Sequence, residues 1–570
     1  MNCSMKFKMT TVALLVGSAM QANAALYKVV EVDPAQNGST SSYNEAYGVA
    51  IQAGNVYQDS GKTLPFDKGC FDNAAACGDE QFKLALETRI SVDGVSYREE
   101  VPFAMDPAFS YIQDYDDFRT YCFRELRYST CDTWASVHWA PWSKELSKDY
   151  TSNALAFVEG APNAYDNKYN NVINSLTEAG LPVGNQSVVK ADQTALETRN
   201  TVVAPVMPNG DFYQSRAWKT DDSYTSGSIA TSATNDYGSH HTSKAAIWDQ
   251  NGNVSQIAWP QGGDRDGNRL AQGSMRDFAL LRDENDKPIT IYGVGYNTFS
   301  DDNYLNASVF VGTIDGSAFD KTTWTTKVVS GAQMKIGSDI IHSNSVVTNV
   351  NDKFVAVGEA KRSGSKPSEG AAANRLFLIE DVTADSISAT FLTSLDNLFF
   401  SGAGGKMGGI NNYNEIVGQV DAEDTREIDG KERRKRGFIF PYGGAGANQE
   451  RRAIFNDKAW FLDDLTNGSN APTSNNQYRI VDASDINDAG VISATAIKCD
   501  GGYDSASHNA YCGGGGKDET IVAVKLVPIA GATSADIEAR PVDKAAAERK
   551  GAGLGWLSLT LLVFFGFRRK

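Results

Sequence analysis

The sequence predicts an all-β fold: a β-propeller of about six or seven blades, with a mixed aromatic-rich insertion and a C-terminal transmembrane helix. Three observations predict it. A nine-residue phrase recurs through the second half, an apolar strand follows each copy, and the composition favours strands joined by polar turns. In 570 residues there are 52 Gly, 23 Tyr and 26 Phe, residues of turns and pleated surfaces rather than of helices.

The phrase reads Val350-Asn-Asp-Lys-Phe-Val-Ala-Val-Gly358, then Ile410-Asn-Asn-Tyr-Asn-Glu-Ile-Val-Gly418, then Ile486-Asn-Asp-Ala-Gly-Val-Ile-Ser-Ala494. An aliphatic residue, an Asn with Asn or Asp after it, a polar turn and an apolar run closing on a small residue make a tight turn feeding a buried strand. Weaker copies begin at Asn235-Asp236 and Asn285-Asp286-Lys287, so successive copies lie 50, 66, 60 and 76 residues apart. Past a loop of variable length, each is followed by a second apolar strand: Ala245 to Trp248, Ala307 to Val311, Arg375 to Ile379, Gly437 to Phe440 and Thr520 to Val524. The loop absorbs the differences in length. Units of ~40 to 50 residues, each a small antiparallel sheet, suit a ring that hides its edges. A β-solenoid or tandem sandwiches is the alternative.

In chain order, residues 1–24 read as a signal peptide, with Lys6 and Lys8, an apolar run from Val12 and an Ala-Asn-Ala exit that places cleavage between Ala24 and Ala25. Residues 25–106 are expected to hold the first propeller strands, with Tyr47 to Tyr57 a distant relative of the phrase and Asp93-Gly94 a hairpin turn. Residues 107–199 change texture. Phe109, Tyr111, Tyr115, Phe118, Trp134, Trp139 and Trp142 stand among Asp114, Asp116, Asp117 and Glu125, with helical spacing from Asp114 to Tyr128 and from Lys168 to Ala179. Such rings either stack on sugars or form a satellite core. Residues 200–528 form the repeat-built body, and residues 529–550, rich in Ala and charge, read as a tether.

The last segment, 551–570, runs Gly551-Ala-Gly553-Leu-Gly555 and on through apolar residues to Phe567, then Arg568, Arg569 and Lys570. Its apolar part makes a helix about 26 Å long at ~1.5 Å per residue, just short of a ~30 Å hydrocarbon core, so it spans only as a minimal helix. Its basic end is expected to stay cytoplasmic, with the body on the far side of an inner membrane. The segment resembles the GlyGly-type C-terminal sorting signals of Gram-negative exported proteins. That resemblance implies a rhomboid-type protease that cuts near the glycines, partners in the export machinery, and release to the cell surface. The phrases resemble the extracellular HAF-type repeat. Together, leader, repeats and tail look like an exported Gram-negative family of unknown function, which implies location and architecture but no chemistry.

The formal charge is -17, and removing the five cations of the two terminal segments from 53 leaves 48 against 70 acids in the body. Such a surface repels nucleic acid and anionic lipid. Beyond Cys3, six cysteines fall in close pairs, Cys70 with Cys77, Cys122 with Cys131 and Cys499 with Cys512, the pattern of three local disulfides in an exported protein. None of the pairs is C-x-x-C, and the five histidines show no zinc-ligand spacing.

No nucleophile elbow, zinc-protease helix, phosphate loop or dinucleotide fingerprint occurs. Ser317 to Trp324 only faintly follows an aspartate box, with Lys321 where Gly belongs. Asp264-Arg-Asp-Gly-Asn268 has the alternating donors of a calcium loop but Met275 where the bidentate Glu should stand. No cofactor is therefore expected, calcium being the one the sequence leaves open. Arg433 to Arg436 is expected in a solvated loop. The leading expectation is a non-enzymatic binding or interaction module for a glycan or surface protein. The alternative is a secreted polysaccharide hydrolase with an Asp/Glu pair at the ring axis and the aromatic insertion as a lid.

Overall fold

The computed structural model describes residues 25–39, 43–54, 68–72, 77–89, 114–123, 130–151, 154–165, 169–235, 238–260, 271–299, 305–314, 318–336, 339–342, 345–361, 368–371, 374–427, 433–468 and 471–542. These form an all-β propeller. Four antiparallel sheets of four strands follow one another. They begin at Gln214–Thr220, Gly273–Arg282, Val346–Val350 and Gly405–Ile410. A seven-stranded sheet joins the two ends of the body. In it Tyr478–Ile486, Ile492–Cys499 and Glu519–Pro528 pair in turn, and Tyr27–Glu31 lies antiparallel along Glu519–Pro528. A single parallel pair, Glu45 with Ile521, links these strands to Glu45–Ile51, Leu84–Arg89 and Ala154–Val158. A three-stranded sheet, Tyr169–Leu176, Pro182–Val189 and Leu196–Val203, completes the circuit.

The count of six or seven blades is corrected. Among the described residues five sheets have the four or more strands of a full blade, because the chain ends merge in one sheet and the Tyr169 sheet stops at three strands. Seven strands nevertheless line the axis, since the seven-stranded sheet supplies both Glu45–Ile51 and Tyr478–Ile486. Each packs against the next, and Tyr478–Ile486 returns to Glu45–Ile51.

The clear copies of the phrase sit at the turn from the first to the second strand of their sheets, and the apolar strand behind each is the third. Their closing residue explains why the two recur together. Gly358 pairs with Phe377 and Gly418 with Phe438, and a Cβ would fall 2.6 Å from the Phe377 ring and 2.9 Å from the Phe438 ring. In the third copy Ala494 faces the smaller Val524. The missing Cβ makes room for an aromatic ring buried in the core.

Other expectations are overturned. Asn235 ends the second strand of its sheet rather than the first. The turn near Asn285 is anchored two residues earlier, where the Asp283 carboxylate accepts N–H bonds from Asn285 and Lys287. Strand structure resumes at Ala154, not near residue 200, and Tyr169–Leu176 is a strand although the spacing from Lys168 to Ala179 suits a helix. Its burial on nearly every residue reflects a strand covered on both faces. The described part of the supposed tether packs on the body: Ala532 is buried, and Arg540 donates to Asp463 O at 2.8 Å and Ala506 O at 2.9 Å.

The aromatic stretch does form helices, Tyr115–Tyr121 and Asp132–Leu146. Phe118 packs against Trp134, His138 and Trp139, with ring centroids 6.1 to 6.4 Å apart. The rings form a satellite core. The second helix touches the three-stranded sheet through Glu145, which accepts from Tyr169 Oη at 3.1 Å. Among the described residues no helix is long and apolar enough to cross a membrane. The transmembrane helix expected in 551–570, the signal peptide and Asp93-Gly94 lie outside the described residues.

Candidate binding site at the propeller axis

Every inner strand carries a β-bulge at the same place. The register shifts between Gly48 and Ala50, Ile173 and Ser175, Ala217 and Lys219, Met275 and Asp277, Val347 and Asn349, Met407 and Gly409, and Ala483 and Asp485. A bulge re-aims the side chains beside it. Here the repeated bulge builds two tiers. One contains Val49, Trp218, Arg276 and Ser484, and the other contains Lys219, Asp277, Asn349 and Asp485 around the small Ala50 and Gly409. Lys219, Asn349 and Asp485 belong to the walls of two cavities, of about 470 and 440 Å3, so this tier is the floor of both.

The larger cavity opens where the inner strands end. Glu178, Asp221, Asp222, Asp277, Asp352, Asp485 and Asp488 line it with Lys219. Burial pushes the Lys219 ammonium down, but the charges of Asp485, Asp277, Asp488 and Asp352 outweigh it and hold its pKa above the ordinary value. Burial raises Asp277 to about 6 against the pull of Lys219 and of two N–H bonds. Burial also raises Asp485 and Asp488. The mouth is thus a set of acids held together at a cost in repulsion.

The rim is stitched by the phrases. The Asn351 side chain accepts from Lys353 N and Val355 N, both at 3.0 Å, and donates to Asn411 O in the next sheet at 2.9 Å. Asn411 repeats this toward Asn487 O at 3.1 Å, and Asn487 donates to Gln52 O at 3.1 Å. A second line runs beside it: Asn412 Nδ2 donates to Asp352 at 3.0 Å and to Asp488 at 2.9 Å. Below the rim, Asp277 accepts from Phe278 N at 2.8 Å and Val350 N at 3.2 Å, and Asp485 from Ile486 N at 2.9 Å and Ile51 N at 3.1 Å. Both carboxylates therefore bridge neighbouring inner strands.

The structure joins Cys70 to Cys77, Cys122 to Cys131 and Cys499 to Cys512. All three lie away from the axial cavities. Ala25 opens the described chain and is buried; Ala24, Gly551, Gly553, Gly555, Arg568, Arg569 and Lys570 lie outside it, as does the Asp264 to Asn268 loop. Among the described residues no group of three or more His, Cys, Asp or Glu could hold a metal ion. Arg433 and Arg436 are not solvated: both are buried, paired with Asp421 at 3.2 Å and Asp463 at 2.9 Å. None of the described helical residues of the aromatic stretch lines either axial cavity. The axial quartet was missed in the sequence. Asn349 and Asp485 stand two places before the phrase Asn, and only the bulge, invisible in the pattern, turns them inward.

The family described as "Protein of unknown function (DUF3466)" matches residues 4–216 and 227–570. This protein belongs to that family. No curated protein matches this DUF3466 sequence. Among solved structures it is similar to one titled "Glycoside hydrolase", at 10% identity and TM-score 0.24 over 61% of this protein and 92% of that one. A second, described as a BT0996 RGII complex, has the same identity and score over 58% and 90%. Likeness at that level bears on neither fold nor activity.

Proposed function

We propose that this is an exported, surface-displayed, non-enzymatic binding protein whose ligand enters the acidic mouth of the propeller axis. One observation carries the reading: Asp277 and Asp485 each spend both oxygens on backbone amides, one on their own strand and one on the neighbouring strand. Protonating either weakens a bond that closes the ring, a poor arrangement for an acid that must gain and lose a proton at each turnover. That counts against the hydrolase alternative, although the pKa of Asp277, about 6, suits a general acid.

Carboxylates against one ammonium select net-cationic ligands over anionic ones. Titrating the full chain with a Lys-rich peptide should show saturable binding that weakens with salt and with Asp488→Asn. Equal binding of a Glu-rich peptide, or release of reducing sugar from a polysaccharide, would overturn the proposal. The leader ending at Ala24, the HAF-type reading of the phrases and the GlyGly-type tail support the location. A rhomboid-type protease would then remove the basic end, and surface material analysed by mass spectrometry should lack Arg568, Arg569 and Lys570; their retention would refute the sorting step.

A further inference from the structure

The opposite mouth of the axis has other chemistry. Its cavity of about 440 Å3 is lined by Trp218 and Arg276 from adjacent bulges, with Lys219, Lys406, Met407 and Asp482. The Arg276 guanidinium lies over the Trp218 ring, 3.5 Å from its centroid, and 5.5 Å from that of Tyr296. Its Nε is buried without a hydrogen-bond partner. The residue as a whole is half-buried, and a guanidinium is always charged and carries five N–H donors, so this one buried donor left unmatched needs an explanation. Two of the carboxylates at this mouth are engaged elsewhere. Glu359 accepts from Met407 N at 2.7 Å and Asn374 Nδ2 at 2.8 Å, and Asp485 bridges Ile51 and Ile486. Asp482 shares the lining with Arg276, Lys406 and Lys219.

We propose that this mouth is a second binding site, for a small organic carboxylate with an apolar face, of which a sugar acid is the simplest kind. The indole fixes the guanidinium on one side, so the fork meets a carboxylate in two parallel bonds with little ordering left to do. Lys219 and Lys406 add charge, and Val49, Val346 and Met407 take the apolar face. The acidic body does not forbid an anion here, because salt screens charges beyond about 8 Å under physiological conditions and the local cations decide. The two sites share Lys219, Asn349 and Asp485 in their floor, but Trp218, Arg276 and Lys406 line only this one, and its ligand has the opposite charge.

Calorimetric titration of the full chain with D-glucuronate, D-glucose and inorganic phosphate tests the proposal. Glucuronate should bind saturably, with glucose and phosphate each about tenfold weaker or more, on the scale of one lost charge-assisted contact. Arg276→Gln should weaken glucuronate by about tenfold. Arg276→Lys, which keeps the charge and loses the fork, should fall between, and Lys190→Gln on an exposed loop should change nothing. Should Arg276→Gln fail to fold, Arg276→Lys and the ligand series decide. Absence of saturable binding, equal affinity for glucose, preference for phosphate, or an unchanged affinity in the folded Arg276 variants would each overturn it.

Discussion

Asn411 does with one amide what a turn and a blade contact would otherwise need separately. Its Oδ1 accepts from Tyr413 N and Glu415 N, both at 3.0 Å, while Nδ2 donates to Glu415 at 2.7 Å and to Asn487 O at 3.1 Å. Glu415 in turn is held by Arg451 at 2.6 Å, and both side chains are almost wholly buried. Each buried polar group left unmatched costs about 1 to 3 kcal/mol, so Asn411→Ala should lower the unfolding free energy by about 3 kcal/mol or more. Urea unfolding at neutral pH measures it, and a loss below about 1 kcal/mol would mean that the stitching carries no load. The sequence displayed half of this role. An Asn opening a turn is legible from its neighbours, whereas the donation to the next sheet depends on how the copies stand side by side, which spacing alone does not contain.

At the scale of elements, the loop closed by Cys499 and Cys512 clasps the end of the described chain. Its His508 ring lies 3.0 Å from Asp464 and 3.6 Å from Asp463, His508 N donates to Pro541 O at 2.9 Å, and Arg540 N donates to Asp464 at 2.8 Å. Burial pushes the His508 pKa down, but its bonds to Asp463 and Asp464 and their charges win, so it stands above 6.5. A raised histidine contributes stability that is fully present below the unfolded value and is lost as pH rises through the folded one. The gap in melting temperature between the parent and His508→Gln should therefore be wider near pH 6 than near pH 9, values on either side of the histidine range. A gap that grows with pH would contradict the clasp. Asp463 works in the other direction. Burial opposes its charge, but His508, Arg436 and Arg540 hold its pKa down at about 2, so its contribution survives above the usual carboxylate range and fades as pH falls toward that value. The local cysteine pairing was legible because neighbours in sequence were also neighbours in space. The burial of Arg433, Arg436 and Arg540 was not, since a run of cations looks the same whether water or buried carboxylates surround it.

For the whole molecule, the first strand seals the last sheet. Tyr27–Glu31 runs along Val524 to Pro528, Leu26 N donates to Leu465 O at 2.9 Å, and Leu26, Tyr27 and Val29 are buried. Three such side chains at ~1.5 to 3 kcal/mol each put the loss on removing residues 25–31 between about 4.5 and 9 kcal/mol, and the deletion also bares an unpaired strand edge. Calorimetry of the truncated chain should show a lower, broader transition with aggregation, and an unchanged sharp transition would show that the ring does not need this seal. The propeller itself was legible from the repeats, because turn, small residue and aromatic strand must recur wherever one sheet is built the same way. The number of full sheets was not, because the sheet holding the chain ends has no intact copy of the phrase in its N-terminal strands.

The seal also sets an order of events. Glu31 meets Val524, so a chain delivered from its amino end presents the sealing strand first and its dock nearly five hundred residues later. Until then the leading segment must wait beside a half-built ring, and such distant pairing is slow. Any carrier that threads this protein through a pore hands over an unlocked ring, and the final turn of assembly belongs to the far side.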